Sequence, residues 1–383
     1  MGFGVYVHIP FCTHRCDYCD FATWTDRAHL VDAYVDACVR DLGRRREPDL
    51  PLADSVFFGG GTPSLLTGEQ LARILAAVPR ASVCEVTVEC NPDSVDPTKF
   101  EAYAGAGVNR ISLGAQSFVP HVLAALGRTH DPANVERAVA AARAAGIERV
   151  NLDLIYGTPA ERPEDWRASL AGVVDLGVGH VSAYALTVEA GTPLGRDVAA
   201  GIRPAPDDDE QADAYEVADT ALTAAGYEWY EVSNWARPGE ECRHNLCYWE
   251  QGDYLAIGCA AHGHTAGTRW WNVRTPERYI DAITTGADPG AGHEVLDPVQ
   301  RSEERLTLAL RTRAGARCAR AASGEVVALA EQGLLTRSGD RVVLTRRGRM
   351  LASEVTARLL AAGAATGGAT EERPDPVGSI GGP

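Results

Sequence analysis

Apolar residues cluster in short runs at Gly4–Ile9, Ser55–Phe58, Cys84–Cys90, Arg110–Leu113, Arg149–Ile155, His180–Leu186 and Tyr227–Val232. Runs of this length, rich in Val, Ile, Phe and Tyr, predict buried strands. Between them lie alanine-rich stretches with one apolar face: Leu30–Gly43, Gly68–Val78, Asn134–Ala145 and Asp208–Ala225. That spacing predicts helices, and Gly146 and Gly226 sit where helix C-caps belong. Repeated β–α alternation predicts an α/β fold on a parallel sheet. Polar and glycine motifs follow most of the strands, so a (β/α) TIM-like barrel, complete or partial, is expected over residues 1–233. Its site then lies at the strand C-termini.

Periodicity fades after about residue 233. Segment 234–294, rich in Trp, His and Gly, reads as a connecting segment. From Ser302 the pattern is helical again, followed by a short hairpin with Gly339-Asp340 at its turn and a closing helix. That order predicts a mainly helical, winged-helix-like C-terminal domain over residues 295–363. Residues 364–383 lack aromatics and are expected to be a disordered tail.

Composition narrows the function. The 383 residues are 45% hydrophobic and 23% charged, ordinary for a chain with a sizeable core. A formal net charge of −16 argues against nucleic-acid binding. The arginines at 337, 341, 346, 347 and 349 make the winged-helix stretch locally basic, but Arg is favoured throughout and Lys99 is the only lysine. On the same ground Arg44, Arg45 and Arg46 read as solvated surface. No apolar run reaches the roughly 18–20 residues of a membrane span, and the start of the chain does not read as a secretory signal. A cytoplasmic protein is expected, in which ten cysteines are metal ligands or core residues rather than disulfides. Cys38, Cys84, Cys90 and Cys318 read as core or half-buried thiols.

Three cysteines stand apart. Cys12, Cys16 and Cys19 form a C-x3-C-x2-C triad directly after the first strand. Structural zinc takes four closed ligands, often as two Cys-x2-Cys pairs, and the sequence has no second pair. A [4Fe–4S] cluster ordinarily takes one thiolate per iron. Three thiolates leave one iron open to a small chelating molecule. His14 and Arg15, inside the triad, suit a loop that stabilises thiolates.

The triad resembles the signature of the radical S-adenosylmethionine (SAM) superfamily, in which the amino and carboxylate groups of SAM chelate the fourth iron. One-electron reduction there cleaves the sulfonium to a 5′-deoxyadenosyl radical. The phrases YVHIPFCTHRCDYCDF, FFGGGTPS, LGAQSF, LGRTHD and NLDLIYGTP resemble one branch of it. That branch holds oxygen-independent coproporphyrinogen III dehydrogenase and the HemW-type heme chaperones. The resemblance implies a partial (β/α) barrel and SAM contacts at Tyr6, Gly60, Gly61, Thr62, Glu89, Gln116, Arg128 and Asp153. Glu89, Gln116 and Asp153, at or just beyond strand ends, suit ribose hydroxyls or the methionine amine. Arg128 suits the methionine carboxylate, and Tyr18 a place near adenine.

Within the branch, the dehydrogenase has a further cysteine two residues past the triad, where this chain has Phe21. The stretches around His244-Asn245-Leu246-Cys247-Tyr248-Trp249 and Gly258–Gly263 resemble those of the chaperones. This implies heme as ligand, heme-acceptor proteins as partners and a flavodoxin- or ferredoxin-like electron donor; radical oxidation of coproporphyrinogen III is the alternative. Imidazole is a common axial ligand of heme iron. His244 is the first candidate, with Tyr248 and Cys247 behind it, and Trp249, Trp270 and Trp271 offer apolar faces. His262 is read as reaching toward the SAM site.

Overall fold

The structure, a computed structural model, describes residues 2–45 and 50–365. Arg46 and residues 366–383 of the expected tail lie outside the described residues. The described residues divide into two compact units, those up to 295 with 311–314, and 296–310 with 315–365.

The first unit is built on a parallel sheet. Strands β1 (Gly4–Ile9), β2 (Ala53–Gly60), β3 (Arg80–Cys90), β4 (Arg110–Gln116), β5 (Arg149–Tyr156) and β6 (His180–Ala185) pair in sequence order, all parallel. Helices return between them, and alternate apolar positions such as Val5, Val7 and Ile9 are fully buried beneath those helices. Two return helices, Pro97–Ala106 and Pro163–Leu176, went unread in the sequence. Both carry proline at the first turn, where its missing N–H costs nothing.

The sheet does not stop at residue 233. β7 (Glu228–Glu231) and β8 (Asn234–Ala236) extend it antiparallel beyond β6. β9 (Tyr254–Ile257) lies parallel to β1 on the other side, and β10 (His262–Thr265), β11 (Thr268–Asn272) and β12 (Gly290–Val295) follow antiparallel. The result is a 12-stranded open sheet, a partial (β/α) barrel extended at both edges. Segment 234–294 is therefore part of the barrel unit, not a connector. Its strands are three to six residues long and carry Trp, His and Gly, too short for a period to register.

Arg44 is exposed, as expected, while Arg45 is half-buried and departs from the expected solvated surface. Arg44 donates to the carbonyl oxygens of Ile283 (2.8 Å) and Ala287 (3.2 Å). Arg45 pairs with Asp41 at 2.8 Å and lies 4.5 Å over the Trp270 ring.

In the second unit, helices Pro298–Leu310, Ser323–Glu331 and Ala352–Ala361 enclose a core containing Leu310, Leu329, Val355 and Leu359. They accompany a small sheet of β13 (Ala316–Arg317), β14 (Leu335–Ser338) and β15 (Arg341–Leu344), the last two joined through Gly339-Asp340. Ala364, expected to begin the tail, is fully buried in this core. Among the described residues no helix is long and apolar enough to cross a membrane.

Candidate cluster and cofactor site

The loop after β1 is tied down on both sides. Cys12 N donates to the Trp24 carbonyl (3.0 Å) and Trp24 N to that of Pro10 (2.8 Å), closing the loop at its base. Asp17, between the second and third cysteines, is held by Leu126 and Leu194 backbone bonds and by Arg203 at 3.1 Å. The three thiols thus stand on a braced loop, all half-buried.

They line a cavity of about 470 Å³ at the C-terminal ends of the strands. Tyr18, Gly60, Gly61, Thr62, Glu89, Gln116, Arg128 and Asp153 line it too. Eleven of the fourteen residues singled out in the sequence are thereby brought together.

The donors fit a thiolate-held cluster. Thr62 Oγ1 lies 3.5 Å from Cys12 Sγ, and Arg128 Nη1 3.5 Å from Cys16 Sγ. The other terminal nitrogen of Arg128 donates to the Gly114 carbonyl at 2.7 Å, which fixes the guanidinium, while its buried Nε has no partner among the described residues. Burial pushes the Cys12 thiol up, against the Thr62 hydroxyl that lowers it, and pushes Cys19 up to about 11. Iron binding must therefore release protons from these thiols. Gly61 has no room for a side chain: a Cβ would fall 2.7 Å from the Phe11 carbonyl oxygen and 3.1 Å from Cys12 Sγ.

The opposite wall is acidic. Glu89 accepts from Gly60 N at 3.1 Å, and burial with Asp153 nearby raises it to about 8. Asp153 is raised by burial, against hydrogen bonds from Ser182, Ser112 and Asn151 that lower it. Its position is mid-strand in β5, not at the strand end. Gln116 adopts φ +61° at an irregularity in the β4–β5 register, an uncommon backbone for a non-glycine residue, and its side chain lines the cavity. Tyr18 packs against Leu126, Ile155, Leu186 and Leu194.

The remaining three lie elsewhere. Tyr6, His244 and Tyr248 line a second cavity of about 240 Å³. It shares Glu89, Ser112, Asp153 and Tyr184 with the first. Tyr6 bonds His8 rather than facing the cysteines. His244, on the helix Arg243–Trp249, is 1% exposed. Its Nδ1 meets Ser55 Oγ at 2.9 Å and its Nε2 meets Tyr248 Oη at 2.8 Å. Burial lowers its pKa to about 4. Both ring nitrogens of His244 are thus hydrogen-bonded within the protein, one of them to Tyr248. Cys247 is buried too. Of the aromatic faces, Trp270 is covered by Arg45, and Trp271 stacks on exposed His262 at 5.8 Å. His262 does not line the cluster cavity.

Sequence reasoning missed the polar interior of the second cavity. Arg110 and Ser112 on β4, Asn151 and Asp153 on β5, and His180 and Ser182 on β6 point inward together. Asn151 bonds Ser112, Asp153, Ser182 and His180, and His180 bonds the Tyr230 hydroxyl at 2.8 Å. The signal was polar residues at every second strand position, which reads as solvent-facing until the sheet is seen to curve.

The Radical SAM superfamily pattern matches residues 6–171. The heme chaperone HemW of Mycobacterium tuberculosis (strain H37Rv) is 47% identical over 370 residues, covering 94% of this chain and 95% of that one. The chain belongs to the HemW family of radical SAM proteins. The HemW protein of Bacillus subtilis (strain 168) is 34% identical, with 93% and 99% of the two chains covered. Among solved structures, the radical SAM enzyme coproporphyrinogen III oxidase (HemN) of Escherichia coli superposes with a TM-score of 0.81 at 21% identity. It covers 94% of this chain and 90% of that one, and at that identity the likeness speaks to fold alone. Radical SAM membership implies a [4Fe–4S] cluster and SAM, and the donor set around Cys12, Cys16 and Cys19 fits them. In this HemW-family chain the expected heme ligands are thus separated from the cluster wall.

Proposed function

We propose that this protein binds heme, a [4Fe–4S] cluster and SAM, and delivers the heme to acceptor proteins in the cytoplasm. The observation that carries the reading is full-length likeness to proteins named heme chaperone, on a chain whose cavity gathers the three thiols and their donors. Phe21, standing where the dehydrogenases have a cysteine, favours it over porphyrinogen oxidation.

Cys12, Cys16 and Cys19 would hold the cluster, which when bound supplies an electron to the SAM sulfonium; a flavodoxin- or ferredoxin-like donor is the proposed source. Thr62 and Arg128 donate toward thiolate sulfur and stabilise its charge. Gly60 and Gly61 let backbone approach the bound molecule. Glu89, holding its proton near neutral pH, can donate a hydrogen bond as well as accept one, whereas Arg128 supplies positive charge for a carboxylate.

The test is anaerobic reconstitution with iron and sulfide, addition of hemin, and transfer to an apo-hemoprotein. About four cluster irons and bound hemin that moves to the acceptor are expected, and Cys16→Ala should lose the cluster. Conversion of coproporphyrinogen III to protoporphyrinogen, without heme transfer, would reverse the ranking.

A further inference from the structure

Both ring nitrogens of His244 are hydrogen-bonded, which turns attention to histidines with a ring nitrogen left over. Exposure and surroundings sort the ten histidines. His8, His130, His180, His244 and His264 are buried, each with at least one ring nitrogen hydrogen-bonded. His121 is taken by Asp165 at 3.0 Å, and His262 stacks on Trp271. His29 and His293 are exposed but do not line either cavity. His14 remains. It is exposed, lines the cluster cavity, and its imidazole makes no hydrogen bond among the described residues.

Its surroundings suit a flat apolar ligand. Phe21 is 60% exposed and Tyr184 42%, two of the largest exposed apolar side chains of the protein, and both line the same cavity. Leaving aromatic surface in water is unfavourable, and two such side chains lining one cavity with a free imidazole suit an apolar ligand. Arg15, on the same loop, spends Nε and one terminal nitrogen on the Cys19 carbonyl, which leaves its other terminal nitrogen for a carboxylate. The cluster and SAM would take the inside of this cavity, and His14, Phe21 and Tyr184 line it with exposed side chains, so the macrocycle belongs at the mouth.

We infer that heme docks across the mouth of the cluster cavity, with His14 ligating its iron, its face on Phe21 and Tyr184, and a propionate reaching Arg15. The inference rests on the heme reading above and adds the place and the ligand. Asp20 and Glu189 also line the cavity, so the propionates would be turned away from them toward Arg15. The site then has an unpartnered imidazole as ligand, two exposed aromatic side chains and a cation, in the same cavity as the three cysteines that would hold the cluster.

The test is hemin titration of the full, reconstituted chain, followed by absorption and electron paramagnetic resonance. Wild type should bind one hemin with an imidazole-ligated signature. His14→Ala should lose that signature and weaken binding by about tenfold or more, and free imidazole should restore the signature. Phe21→Ala should weaken binding while keeping it. Should His14→Ala also lose iron, the comparison is made on a Cys16→Ala background, where the cluster is absent from both chains. A wild-type protein that binds no hemin sinks the heme reading and this inference together. Hemin bound by His14→Ala with unchanged affinity and signature sinks this inference alone.

Discussion

One helical turn apart, His244 and Tyr248 join imidazole Nε2 to phenol oxygen at 2.8 Å, and Ser55 closes the other side of the ring. The pair is a seal on the inside of the barrel. His244→Ala would orphan two buried hydroxyls and open a cavity, at a cost of about 2–4 kcal/mol. Chemical denaturation of the cluster-free chain measures it. Hemin affinity of the folded fraction should not change; full stability with lost heme binding would return His244 to the role of ligand.

The same residue sets an acid limit. Its folded pKa, lowered to about 4, lies below the 6.5 of an unfolded histidine. Its contribution is therefore present above pH 6.5 and lost as the pH falls toward about 4. His244→Gln should flatten the stability profile in that window, measured by urea unfolding at half-unit steps.

Glu89 acts in the opposite sense. Raised to about 8 by burial and Asp153, it is a proton-holder in the fold. Its stabilising effect is complete below about pH 4.5 and lost as the pH rises through about 8. In the chain free of cluster and SAM, Glu89→Gln should gain about 2 kcal/mol at high pH, a figure discounted for water in the cavity. An unchanged slope between pH 5 and 8.5 would place the proton elsewhere.

Arg128 bridges sulfur and backbone. Arg128→Met removes the N–H facing Cys16 and should weaken iron retention about tenfold. Competition with a chelator, read by iron count, decides it.

Gly61 offers the sharpest steric test. A methyl group there collides with the Phe11 carbonyl oxygen and presses on Cys12. Gly61→Ala should keep the sheet by circular dichroism and lose most cluster iron. Wild-type iron content would show that the loop can yield.

The strands β1 to β6 were legible because each is a compact apolar run ended by a motif. The cysteine loop and its cavity partners were legible through motif resemblance, which spans distances that periodicity does not. His244 shows what motif resemblance leaves open. A histidine among aromatics looks the same in sequence whether it meets a ligand or a serine, and only the helix Arg243–Trp249, packed beside β2 and bonded to Glu85, separates the two. Phe21 and Tyr184 were unreadable as a pair because they are 163 positions apart in the chain. Tyr184 passed as one more apolar residue of a strand.

Glu89, Ser112, Asp153 and Tyr184 face both cavities, and this has a bearing on how variants behave. The four side chains form a partition rather than a floor, so the cysteine end and the His244 end of the barrel have no independent hydration. A change that admits or expels water below will alter the charge of Glu89 and Asp153 above. Substitutions far from the thiols, at Asn151 or His180, should therefore register first as altered SAM affinity and only later as lost fold.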